Sequence, residues 1–136
     1  MPRIDLREVS PAGHELSRGT VEGLAGEASL REILRARIDA EVAAYNRDPG
    51  SVYVGMVQPE DAIRHSDGFR MRTPRPLDGD QLLTAVEEAV SAGVVHFVVD
   101  DRTINDLGAV VAVGETRLIT TVMQRPIVAR APRDRD

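Results

Sequence analysis

A chain of 136 residues with 42% apolar side chains is long enough to bury one core, and with 3% aromatics that core must be largely aliphatic. The formal charge of −5 argues against general affinity for nucleic acid or anionic membrane. Cysteine is absent, which excludes a disulfide framework, a thiolate metal site and a cysteine nucleophile together. No apolar run approaches the roughly 20 residues of a membrane helix. The opening MPRIDLREVS is charged and has no apolar signal region, so a cytoplasmic protein is expected. All seventeen cationic side chains are arginine. GC-rich coding bias and avoidance of lysine modification both account for that.

Residues 3–9 alternate, with Ile4 and Leu6 on one face and Asp5 and Arg7 on the other, as a half-buried strand requires. Ser10-Pro11-Ala12-Gly13 has turn chemistry. The stretch from Leu16 to Leu24 returns as a second strand, weakened by Gly19 and Gly23. Ser29 to Tyr45 is the clearest helix. Ser29 and Glu32 have capping-box spacing, and Leu30, Ile33, Leu34, Ile38, Val42 and Tyr45 form one apolar stripe. Arg31, Glu32, Arg35, Asp39 and Glu41 are assigned to the opposite, solvated face. Asn46 to Gly50 stops the helix.

Residues 52–57, VYVGMV, read as a short strand in which Gly55 marks a bulge or a close approach. Pro59 to Arg64 reads as one helical turn, and residues 64–76 as a surface loop. A second helix starts near Asp78, which is spaced for a capping box with Gln81 and for a staple between Leu77 and Leu82. Leu82, Leu83, Val86, Ala89 and Val90 give its stripe, and Gly93 its left-handed stop. Val94 to Val99 is apolar except for His96 and reads as a strand buried on both faces. Asp100-Asp101-Arg102 forms a polar turn, Ile104 to Val111 a connector, and Gly114-Glu115 a turn into a last strand, Arg117 to Met123. Residues 127–136 are expected to be a disordered tail.

These elements define an α+β class. The first and last strands can pair parallel in the centre, with the hairpin 3–24 on one side, strand 94–99 on the other, and helix 29–45 over one face. The closing stretch FVVDDRTINDLGAVVAVGETRLITTVMQRP resembles the last third of the β-grasp (ubiquitin-like) superfamily, including the small sulfur carriers. The resemblance implies a mixed β-grasp sheet with one main helix, a single domain over 1–126, and an insertion at 51–92 carrying the second helix. Modifiers and sulfur carriers of that superfamily end in Gly-Gly. No glycine follows Gly114 here, which argues against a carrier role.

The three histidines, His14, His65 and His96, lack metal-ligand spacing. No G-x-S-x-G or phosphate-cradling motif occurs. The expectation is a protein that is not an enzyme and needs no cofactor or metal. Its candidate partner-binding residues are Arg64, Phe69, Arg70, Arg72 and Arg75, a local cationic stretch on an acidic chain suited to docking an acidic partner, a phosphate group or a single nucleic acid strand. The resulting reading is a non-catalytic, ubiquitin-like interaction module that binds another protein, with nucleic acid and membrane disfavoured. The alternatives are a divergent sulfur carrier or modifier, and a small-ligand-binding protein.

Overall fold

A computed structural model describes residues 2–130. It is an α+β structure with two helices and a mixed five-stranded sheet in the order β2-β1-β9-β6-β7. Strand β1 (Arg3–Val9) turns through Ser10–Gly13 into antiparallel β2 (Glu15–Glu22). A short β3 (Glu27–Ser29) leads into helix α1 (Leu30–Asn46). The capping box forms: Ser29 Oγ accepts from the Glu32 N–H, and Glu32 Oε1 accepts from the Ser29 N–H, both at 3.1 Å. Strand β6 (Val95–Val99), β7 (Arg102–Ile104), β8 (Val110–Ala112) and β9 (Leu118–Met123) complete the chain's second half. As the element order leads one to expect, β1 and β9 lie side by side and parallel, and β6 pairs antiparallel with β9. β8 pairs instead with β3, closing a small ladder at the start of α1.

Ile4 and Leu6 of β1, Val21 of β2, Ile119 and Met123 of β9, and Val95, Phe97 and Val99 of β6 face inward beneath the α1 stripe. Every predicted stripe residue of α1 is buried. The β6–β7 connection is a two-residue hairpin in which Asp100 and Asp101 both have positive φ, 51° and 63°. That is the sense of turn that matches strand twist, and Asp tolerates it better than most residues.

Several expectations differ from the structure. Strand β6 is fully buried on one face only: His96 and Val98, on the face opposite Val95, Phe97 and Val99, are half-buried. Residues 52–57 form no strand of a sheet. Tyr53 makes an isolated bridge to Phe69, and Gly55 packs against the Tyr53 ring, where a Cβ would meet the hydroxyl. The turn and loop expected over 59–76 are a hairpin, β4 (Ala62–His65) with β5 (Gly68–Met71). Glycine at 68 is demanded there: its φ is +142°, and a Cβ would lie 2.5 Å from the Tyr53 carbonyl oxygen. Helix α2 (Gly79–Ser91) is capped by Asp78 through the Asp80 N–H, but Gln81 does not complete a box. Its amide donates to the Arg130 carbonyl at 3.1 Å.

That last bond belongs to a strap assigned from sequence to the tail that begins at 127. Ile127 and Ala129 are buried, and the Gln58 main chain clamps them through two bonds of 2.8 and 2.9 Å. The charge of the final stretch obscured their period-two alternation. The remainder of the expected tail, 131–136, lies outside the described residues.

Replacing Ser29 with alanine removes the cap of α1. Urea unfolding should show a loss of about 1 kcal/mol at unchanged slope.

Candidate functional site

Two places in the fold concentrate chemistry: a buried ion cluster beneath α1, and the projecting β4–β5 hairpin. In β1 the inward positions run Ile4, Leu6, Glu8, so alternation drives a carboxylate under the helix. In α1 the stripe 30, 33, 34, 38, 42, 45 also passes through 37 and 41, and that is where Arg37 and Glu41 sit. Arg37 Nη1 and Nη2 donate to Glu8 Oε2 and Oε1 at 2.5 and 2.7 Å, a two-point pairing with both side chains essentially out of solvent. Arg37 Nε donates to Glu41 Oε2 at 3.0 Å, and Ser17 Oγ on β2 donates to Glu8 Oε1 at 2.5 Å. Glycine at 19 leaves room for the guanidinium, since a Cβ there would lie 2.5 Å from Arg37 Nε.

Three polar atoms around this cluster are buried without a hydrogen-bond partner among the described residues: Glu41 Oε1, Tyr53 OH and Thr121 Oγ1. Thr121 is the register neighbour of Glu8 across the parallel pair. Burial of Arg37 works against its charge, but the Glu8 carboxylate outweighs that and holds its pKa above the ordinary value. Burial pushes the Glu41 carboxyl up to about 7, although Arg37 beside it acts in the other direction. Burial likewise raises the Tyr53 phenol, and the charge of Glu41 adds to that. The cluster has two carboxylates around one guanidinium, so the second carboxylate is the member that takes up a proton. Glu41 was assigned from sequence to the solvated face; the structure corrects that. Its position on the stripe, four residues from Arg37, was the available signal.

The rest of the α1 charged face is not simply solvated. Arg31 pairs with Glu87 of α2 at 3.0 Å, and Arg35 pairs with Asp80.

The sequence-derived partner-binding residues all fall on or beside the hairpin. Arg64, Arg70 and Arg72 are exposed, Arg75 is half-buried and Phe69 is buried. Phe69 stacks on Tyr53 with ring centroids 6.4 Å apart, and the Arg64 guanidinium lies 5.1 Å from the Phe69 ring centre. Arg70 and Arg72 approach Asp67 and Asp61 at 3.8 and 3.4 Å, exposed contacts of little energetic weight. Arg75 Nη2 donates to the Glu60 carbonyl at 3.0 Å. Sequence reading missed the two apolar neighbours, Val54 and Ile63, which are 60% and 44% exposed.

A broad groove of about 1190 Å³ runs between α2 and the 125–130 strap, floored by Ala85, Ala89, Val94 and Ile127. It is remote in lining from Arg70, Arg72 and His96. Among the described residues no group of three or more His, Asp or Glu side chains is placed to hold a metal ion. No described helix is long and apolar enough to cross a membrane. No family model, no curated protein and no solved structure matches this chain.

Arg37→Met strands the buried Glu8 carboxylate, and chemical denaturation should register a loss of about 3–5 kcal/mol. Glu41 contributes with the opposite pH sense from an ordinary ion-paired acid. Its folded pKa, about 7, lies above the unpaired value of 4.5. Its stabilising contribution is therefore complete below pH 4.5 and is lost as pH rises towards and through 7. Wild-type protein should lose roughly 2–3 kcal/mol from this group between pH 4.5 and pH 8. Glu41→Gln should flatten that part of the stability profile.

Proposed function

We propose that this chain is a non-catalytic interaction module of β-grasp, ubiquitin-like fold, which docks an acidic protein segment through the β4–β5 hairpin. The fold assignment rests on the sheet order β2-β1-β9-β6-β7, with a parallel central pair and α1 over one face. In this reading residues 51–92 are the insertion, and they share the main core through Tyr53, Met56, Val57, Phe69 and Leu82.

The observation that carries the docking surface is the hairpin's composition. Four arginines stand against two aspartates over residues 61–75, a cationic island on a chain of charge −5. Exposed Val54 and Ile63 lie on the same excursion of the chain. Arginine with exposed aliphatic groups suits a partner that presents carboxylates among apolar side chains. Ring stacking behind the surface holds Arg64 in place, which lowers the ordering entropy of contact.

The test is affinity capture from the native host with the wild-type chain and with Arg70→Glu/Arg72→Glu. The expected result is a stoichiometric acidic partner whose affinity falls at least about tenfold in the double variant and weakens with salt. Equal retention by wild type and variant would remove the hairpin from the binding surface.

A further inference from the structure

We infer that Glu41 is a proton-controlled latch which seats the inserted hairpin on helix α1. The evidence is the set of groups gathered where the insertion meets the helix. Glu41 lies one helical turn before Tyr45 on α1, and Tyr45 is the residue against which Tyr53 of the insertion packs. The Met56 main-chain N–H faces its carboxylate, and the Tyr53 phenol lies close enough to feel its charge. Tyr53 is also the residue that carries the hairpin. Its N–H donates to the Phe69 carbonyl and its carbonyl accepts from the Phe69 N–H, both at 2.8 Å, while its ring stacks on Phe69. On the other side it meets Tyr45 of α1 edge-on, with centroids 5.8 Å apart. One aromatic residue thus transmits the state of the helix to the hairpin.

The charged and titratable groups around Glu41 are few. Its own helix supplies Arg37, β1 supplies Glu8 and the 53–56 segment supplies Tyr53. Glu8 and Arg37 neutralise each other, so an ionised Glu41 is a net buried negative charge. Its Oε1 and the Tyr53 hydroxyl are both without partners among the described residues. Protonation removes that charge and leaves no unpaired ion in the cluster. Ionisation restores the cost of burying the charge, and opening of residues 53–57 away from both α1 and the hairpin, with loss of the two Tyr53–Phe69 bonds, relieves it by admitting water. The elevated pKa of Glu41, about 7, places this exchange near neutrality.

The significance for docking rests on the function proposed above. The test needs no partner, so it can fail independently of that reading. Amide hydrogen exchange of the wild-type chain, corrected for intrinsic rates, would be followed at Tyr53 and Phe69 from pH 6 to pH 8. Amides of β1 and β9 serve as the reference for global unfolding. If release returns Glu41 to an ordinary carboxyl, protection at Tyr53 and Phe69 should fall about tenfold over that range, from a level below that of β1 and β9. Glu41→Gln, an uncharged isostere, should hold it flat. The proposal is overturned if Tyr53 and Phe69 are protected as strongly as the central strands, since the segment then opens only with the whole chain. It is also overturned if wild type and Glu41→Gln share one pH slope. The wild-type profile decides the first outcome without any variant.

Discussion

The two-point pairing of Arg37 with Glu8 is the constraint on which the rest of the arrangement depends. Taking both charges out of water costs several kcal/mol per ion before their attraction is counted, so the pair is weak evidence for net stability. Its effect is on register. A slip of β1 by one residue would turn Glu8 to the outer face and bring Arg7 or Val9 beneath α1, leaving the Arg37 guanidinium buried without its two-point partner. The same pair dictates glycine at 19 and uses Ser17, so it also aligns β2 against β1. Three elements, β1, β2 and α1, are thereby held in one mutual position by a single side chain of α1.

The four aromatic residues perform the complementary task. Tyr45, Tyr53, Phe69 and Phe97 are all buried, although aromatics are scarce in the chain. Three of them form a contiguous row from α1 through residue 53 to the hairpin. An aliphatic core is fluid in choice of partner, whereas edge-on and stacked rings fix distance and angle. The scarce rings lie where an excursion of the chain has to be fastened, and Gly55 and Gly68 give the backbone the close approach this requires.

Much of the fold was legible because its signals are local and periodic. The α1 stripe, its capping box and the alternation in β1 follow from spacing alone, and the parallel pairing of first and last strands from the order of the elements. The hairpin at 62–71 was not legible, since Arg64, His65 and Arg70 break any apolar pattern and its pairing is set by contact with Tyr53. The strap was hidden by the charges that follow it. The buried cluster failed for a more instructive reason. Arg37 and Glu41 occupy stripe positions by spacing and Glu8 an inward position by alternation, yet Glu41 was placed on the solvated face and the other two were not singled out. Charges at buried positions on two facing elements are a joint signal, and only their mutual satisfaction makes either tolerable. A reading that treats each element separately sets both aside. The candidate hairpin residues, in contrast, could be named from composition, while Val54 and Ile63 beside them needed the third dimension.

The distribution of satisfied and unsatisfied groups separates the surfaces. On the outer face of the sheet the charged side chains are largely partnered locally: Arg3 with Asp5, Arg18 with Glu15, and Arg7 with Thr120. The outward charges of α1 are tied to α2 through Arg31–Glu87 and Arg35–Asp80. The hairpin is different in kind. Its ion pairs are longer, its arginines outnumber its carboxylates, and its aliphatic groups stand open to solvent. A surface that is not self-complementary gains the most from an external partner, because fewer existing contacts have to be given up on binding. The same hairpin bonds to Tyr53, which packs on α1 one turn from Glu41, so the latch inferred above would act on the surface proposed for docking.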